Sequence, residues 1–291
     1  MPVKVLEEKV VLEHPSGSSA EVYFYGATVT SWKYQEKERL FLSEDTHLDG
    51  TSAIHGGIPL VFPQFGKASN PSAETAELPQ HGFARVSRWE WQGISVDSDS
   101  QVSVRFRLTD AQVPEALRQK WPKKFRLICT VTLAAETLTS TIEVKNEDTK
   151  SFDFNTLFHT YYLVPDISKV SIKGLSNVTY FDKVANGPET LDTDDSITID
   201  REVDRIYIGV PNDDVYIDLG YGTSGNFILK TINLKDKVVW NPWIDKSRRM
   251  SGFGDEEYKK MVCVEPGTVS SYITLNVGET WDGGQTLSII P

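Results

Sequence analysis

Apolar and polar residues alternate along most of this chain, and a period of two can be buried only as a half-covered β-strand. In VSVRFRL (102–108), Val102, Val104, Phe106 and Leu108 share one face, and LTSTIEV (138–144) repeats the pattern less regularly. The same reading applies to AEVYFYG, ATVTSWKY, RWEWQGI, FRLICTVTL, KVSIKGL, SITIDREV, DVYIDLG, FILKTINL, SYITLNV and TLSII, separated by Gly, Pro, Asn and Asp clusters. Helical pattern is scarce. DAQVPEALRQKW predicts a short helix capped by Asp110, and GDEEYKKM a turn or two. The expectation is an all-β fold whose many strands close or stack to protect their edges, as a large sandwich or barrel. No linker, repeat or low-complexity tract divides the 291 residues, so residues 1–291 are read as a single domain, with KASNPSAETAELPQ (67–80) as a long polar loop.

Composition narrows the class of partner. A formal charge of -11, with no Lys/Arg-rich tract, repels polyanions and argues against nucleic acid. The charged N-terminal stretch lacks the apolar core of a signal peptide, and no apolar run approaches a membrane span, so a cytoplasmic protein without a membrane partner is expected. Cys129 and Cys263 each sit in a strand-like run without metal-ligand spacing and read as reduced, buried thiols.

Against that background a few polar residues stand out. In NTLFHTYYLV (155–164), alternation puts Asn155, Leu157, His159 and Tyr161 on one face, and Phe154, Phe158 and Tyr162 on the other. His159 is then an imidazole among apolar and aromatic bulk; its ordinary role would be a core histidine bonded to a carbonyl. In MVCVEPG, Met261, Cys263 and Glu265 share a face opposite Val262 and Val264, and Pro266-Gly267 ends the run, leaving Glu265 at a rim where a carboxylate is either ion-paired or used. IHGGIPLVFPQFG (54–66) holds Gly56-Gly57, whose missing side chains admit a ligand or a neighbouring strand. LPQHGFARVSRW (78–89) gathers His81, Arg85 and Arg88, a cationic patch suited to an anionic or hydroxyl-rich ligand. VVWNPWIDKSRRM (238–250) places Trp240 and Trp243, whose faces suit sugar C–H surfaces, beside Lys246, Arg248 and Arg249. Asp204, in DREVDRIY, reads by itself as a turn or salt-bridge residue.

Taken in order, GGIPLVFPQFG, QHGFAR, LFHTYY, EVDRIY, VVWNPW and VCVEPG resemble the hexose-6-phosphate mutarotases, the glucose-6-phosphate 1-epimerases of the aldose 1-epimerase group, over almost the whole chain. The resemblance implies a β-supersandwich of the galactose mutarotase type, monomeric, without metal or organic cofactor, acting on a small hexose phosphate. It implies His159 as catalytic acid and Glu265 as catalytic base, with His81, Arg85 and Asp204 as substrate contacts. Gln64, Lys67, Trp243 and His55, which lie within or beside these motifs, complete the expected binding set.

Anomer exchange needs the proton of the anomeric hydroxyl removed and the ring oxygen protonated, so that the open aldehyde can rotate and close on its other face. Glu265 would take the O1 proton and His159 protonate O5, in a pocket that sets the imidazole near neutrality. One departure concerns the phosphate. The family usually carries an arginine before the Gly-Gly pair, where this chain has His55, with less charge and no bidentate fork; Lys67, Arg85, Lys246 and Arg248 are available to compensate. Alternatives are an aldose 1-epimerase acting on free sugars, a carbohydrate-binding protein without turnover, and a glycoside hydrolase using Asp204 and Glu265.

Overall fold

A computed structural model describes residues 2–68, 73–211, 214–222 and 226–290. Its strands form three antiparallel sheets: a five-stranded N-terminal sheet from Val3–Val5 to Lys37–Glu38, and two eight-stranded ones. One large sheet runs from the edge strand Ser171–Lys173 through Thr280–Ile290, Thr137–Asn146 and Phe125–Ala134 to Glu90–Asp97. The other runs Thr190–Leu191, Thr179–Asp182, Val203–Tyr207, Asp236–Asn241, Met261–Leu275, Phe152–Phe158 and Leu60–Val61, with Tyr161–Leu163 also paired to Met261–Leu275. The all-β expectation holds, and the sheets bury a contiguous apolar cluster running from Val3 to Ile289.

Alternation does its predicted work. Val102, Val104, Phe106 and Leu108 are all 0% exposed, and each such side chain contributes roughly 1.5–3 kcal/mol by leaving water. In the site-bearing sheet the two faces separate: Val262, Val264, Phe154, Phe158 and Tyr162 enter the main core. Met261, Cys263, Leu157, Tyr161, Val238 and Trp240 form a second cluster on the opposite face. The strand carrying His159 is not continuous. It ends at Phe158 and resumes at Tyr161, yet the phase survives because the His159 and Tyr161 N–H groups donate to the carbonyls of Pro59 and Gly57 at 2.9 Å.

Three local expectations change. SITIDREV is not a strand: Ile197 makes only an isolated bridge to Ile172, and pairing begins at Val203. The helix expected from Asp110 is instead a 3-10 turn Asp110–Gln112 capped by Thr109, then Glu115–Arg118, because Pro114, which cannot donate an N–H, separates them. A short helix over Trp243–Ser247, started by Pro242, was not anticipated. GDEEYKKM does give a 3-10 turn, Glu257–Lys260. No helix of the described residues is long and apolar enough to cross a membrane.

The Gly-Gly pair faces its own chain. A Cβ on Gly57 would lie 2.0 Å from the Val29 carbonyl oxygen, so the pair admits a neighbouring strand.

Candidate active site

Two cross-strand rows lay out the floor of a polar cleft. Register pairs Asp204 with Trp240, Trp240 with Cys263, and Cys263 with Tyr161; the adjacent row pairs Ile206 with Val238 and Val238 with Glu265. Residues paired directly across strands project to one face, so four strands distant in sequence deliver Asp204, Trp240, Tyr161 and Glu265 to one surface. The cleft, about 290 Å³, is lined by these together with His55, His81, Arg85, His159, Lys183 and Lys246. Its size suits a single sugar ring better than an extended chain.

At its base, Nδ1 of His159 lies 3.4 Å from Oε1 of Glu265. The imidazole stacks on Tyr161, with ring centroids 4.7 Å apart and planes 12° from parallel, and meets Trp240 and His81 edge-on. These contacts hold its ring plane. Glu265 is 1% exposed, and its Oε2 has no hydrogen-bond partner among the described residues. Nε2 of His159 also makes no hydrogen bond among the described residues.

Burial pushes the Glu265 carboxyl well above 4.5, and the negative charge of Asp204 adds to the shift, against the pull of Lys183, Arg85 and Lys246. Burial also pushes His159 well below 6.5, reinforced by the Arg85 charge. The neutrality expected for this imidazole's pKa is therefore corrected: removal from water costs the cation more than a carboxyl group, itself held protonated, returns. Both shifts favour the uncharged form of each group, and Nδ1 and Oε1 face each other at 3.4 Å.

The remaining walls are cationic. Lys183 and Lys246 both reach Oδ2 of Asp204, at 3.4 and 3.5 Å, and Lys246 also meets Glu202 at 3.3 Å. Lys183 lies over Phe65 and Lys246 over Trp240. Arg85 donates to the Gln80 carbonyl at 3.1 Å and, among the described residues, forms no ion pair. His81 has φ +68°, and its Nδ1 accepts from the Gly66 N–H at 3.2 Å; burial, then Arg85, keeps it well below 6.5. His55 Nδ1 meets the Gly252 carbonyl at 3.0 Å, so that nitrogen carries the proton, and burial lowers its pKa. The imidazole at position 55 thus favours its uncharged form.

Of the residues singled out in the sequence, His55, His81, Arg85, His159, Asp204 and Glu265 line one cleft; Gln64, Lys67 and Trp243 do not. Gln64 is buried and donates to the carbonyls of Leu78 and Pro79 at 3.2 and 3.1 Å, bracing the loop that presents His81. Lys67 is exposed outside the cleft, as is Arg248. Trp243 follows Pro242, where the strand has ended, and packs on Tyr258; Trp240, still in the strand, lines the cleft instead. Lys183 and Tyr161 were not singled out as site residues. Lys183 carries no motif signal, whereas Tyr161 shares the alternation phase of His159.

A family model described as aldose 1-epimerase matches residues 8–288. A protein of Cenchrus ciliaris, provisionally named a glucose-6-phosphate 1-epimerase, is 38% identical over 98% of this chain and 85% of its own length. One of Escherichia coli K12, under the same provisional name, is 33% identical over 90% of this chain and 83% of its own. Among solved structures, the Salmonella typhimurium protein YeaD, provisionally titled a mutarotase, superposes with a TM-score of 0.85 at 28% identity, covering 99% of this chain and 92% of that one. With its sheets, its cleft and its carboxyl–imidazole pair, this chain belongs to the aldose 1-epimerase family and is a carbohydrate epimerase.

Proposed function

We propose that the protein is a hexose-6-phosphate mutarotase that interconverts the α and β anomers of glucose 6-phosphate and related hexose 6-phosphates, acting in the cytoplasm as a monomer. The observation that carries the reading is the contact between Glu265 and Nδ1 of His159 at 3.4 Å, with Oε2 of one and Nε2 of the other making no hydrogen bond among the described residues. Those two atoms are the natural contacts for O1 and O5, which are bonded to the same carbon of the sugar.

In the proposed relay both groups start uncharged, with one proton on Oε1 and the imidazole proton on Nε2. Oε2 accepts the proton of O1, Oε1 passes its own to Nδ1, and Nε2 gives its proton to O5. The C1–O5 bond breaks as the C1–O1 bond becomes a carbonyl. Rotation about C1–C2 presents the other face, and the same transfers in reverse close the ring. No charge is created in the buried site, which matches the opposite displacement of the two pKa values. Glu265 remains the base toward O1 and His159 the acid toward O5. Such a pair supplies roughly 10²–10⁴-fold per proton transfer, enough for a reaction that already proceeds slowly in water.

Arg85, which forms no ion pair among the described residues, and Lys183 and Lys246 at the wall are the candidate phosphate contacts. A preference for unphosphorylated sugars is the second reading, favoured by the neutral, carbonyl-bound state of His55 and by the engagement of both lysines with Asp204. Anomer-exchange NMR on glucose 6-phosphate, galactose 6-phosphate and glucose separates them. The expected result is faster exchange of a phosphorylated hexose, lost in His159→Ala and in Glu265→Ala; acceleration of glucose alone would retire the phosphate assignment.

A further inference from the structure

Behind the proton pair stands a third group that anomer exchange does not use. Sγ of Cys263 lies 3.7 Å from Nδ1 of His159, the nitrogen that also faces Glu265 at 3.4 Å. One donor atom from each of the three residues falls within 4.8 Å of the others, and all three are buried. In a tetrahedral zinc site, with Zn–S about 2.3 Å, Zn–N about 2.0–2.1 Å and Zn–O about 2.0–2.2 Å, the S···N edge is about 3.5 Å and the N···O edge about 3.4 Å. The S···N and N···O separations in the protein, 3.7 and 3.4 Å, match those two edges to within a few tenths of an ångström, and the third edge lies within 4.8 Å. Thiolate, imidazole and carboxylate together suit Zn²⁺ and its analogues, whereas Mg²⁺ and Ca²⁺ prefer an all-oxygen shell. A separate observation points the same way: Oε2 of Glu265 is buried without a hydrogen-bond partner among the described residues.

We propose that His159, Cys263 and Glu265 form a three-ligand site for a thiophilic divalent cation of the Zn²⁺ type, which would inhibit the enzyme. The ion enters from the cleft between His159 and Glu265, with a fourth position left to water or a sugar hydroxyl. Binding releases two protons to solvent, from the Cys263 thiol and the Glu265 carboxyl, and leaves the imidazole neutral. Two positive charges then meet two negative ligands, so the loaded site is neutral and Arg85 does not oppose it. With Nδ1 and the carboxylate coordinated, the proton can no longer pass between them. The inhibition rests on the mutarotase reading; the binding does not.

The test is titration of the full chain with Co²⁺ in chelator-treated buffer, following the near-ultraviolet thiolate-to-cobalt charge-transfer band, then displacement by Zn²⁺. One equivalent should raise the band. It should persist in Cys129→Ala, disappear in Cys263→Ala, and weaken in Glu265→Gln, which serves if the Cys263 variant does not fold. Zn²⁺ should suppress anomer exchange at the occupancy where it displaces Co²⁺, with affinity falling in Cys263→Ala by at least the roughly 10–100-fold that loss of even an outer-sphere partner costs. No band at stoichiometric Co²⁺, or a band that survives in Cys263→Ala, overturns the proposal. A band in a protein that exchanges no sugar would uphold the metal site while retiring the mutarotase reading.

Discussion

Replacing Glu265 by Gln separates the cost of the carboxyl group from its use. The side chain is 1% exposed, its Oε2 is unpaired among the described residues and its Oε1 faces Nδ1 at 3.4 Å, while Gln keeps the shape and never ionises. Burial, then Asp204, raises the folded-state pKa of Glu265 well above the 4.5 of an unfolded chain. Above pH 4.5 the unfolded protein therefore releases a proton that the folded one retains, and stability falls as pH rises until the folded pKa is passed. The slope is about 1.4 kcal/mol per pH unit at most. With an unfolding entropy of about 2.1 cal/mol/K per residue, the 291 residues amount to about 0.6 kcal/mol/K, so each pH unit corresponds to about 2 °C. Differential scanning calorimetry from pH 5 to pH 8 should show Glu265→Gln gaining on the parent by up to about 2 °C per unit, while exchange falls by roughly 10²–10⁴-fold. A variant-minus-parent melting temperature that stays constant, or falls as pH rises, would refute the raised pKa and with it the neutral proton relay.

Further outcomes follow from the surrounding shell. Asp204→Asn removes a charge that raises the Glu265 pKa, so the alkaline limb of the kcat/KM profile should move to lower pH; an unmoved limb would assign it to another group. His55→Arg should lower KM for a phosphorylated hexose relative to glucose, measured by exchange NMR, if charge at this position governs selectivity. Asn241 is fully buried, donates to the carbonyls of Tyr258 and Met261 at 2.9 Å each, and accepts from the Trp243 N–H; Asn241→Ala orphans three backbone groups and should cost about 3 kcal/mol or more in urea melts. Gly82→Ala at φ +68° would bring a Cβ to 2.2 Å from the Phe62 carbonyl oxygen, so weakened sugar binding should accompany lower stability as the neighbouring His81 is displaced.

Much of this architecture was legible before any coordinates, because burial on one sheet face imposes a period of two that a linear reading detects. Phe154, Phe158 and Tyr162 against Leu157 and Tyr161, and Val262 and Val264 against Met261 and Cys263, separate in the fold as they alternate in the chain. Motif order pointed to the family, and with it to His159, Glu265, His81, Arg85, Asp204 and His55, which do share a cleft. Where local chemistry ended an element, the linear reading failed. Pro242 turns the chain after Asn241, so Trp240 rather than Trp243 faces the cleft.

Tertiary structure alone decided which strands lie side by side. The rows joining Asp204, Trp240, Cys263 and Tyr161, and Val238 and Glu265, are set by register between segments remote in the chain, and nothing in any one segment encodes its neighbour. Lys183, the Glu265–His159 contact and the sulfur behind it depend on that pairing. So do the pKa shifts: a sequence names an imidazole and a carboxylate, but the depth of water's exclusion, a property of the assembled sheets, pushes one pKa down and the other up.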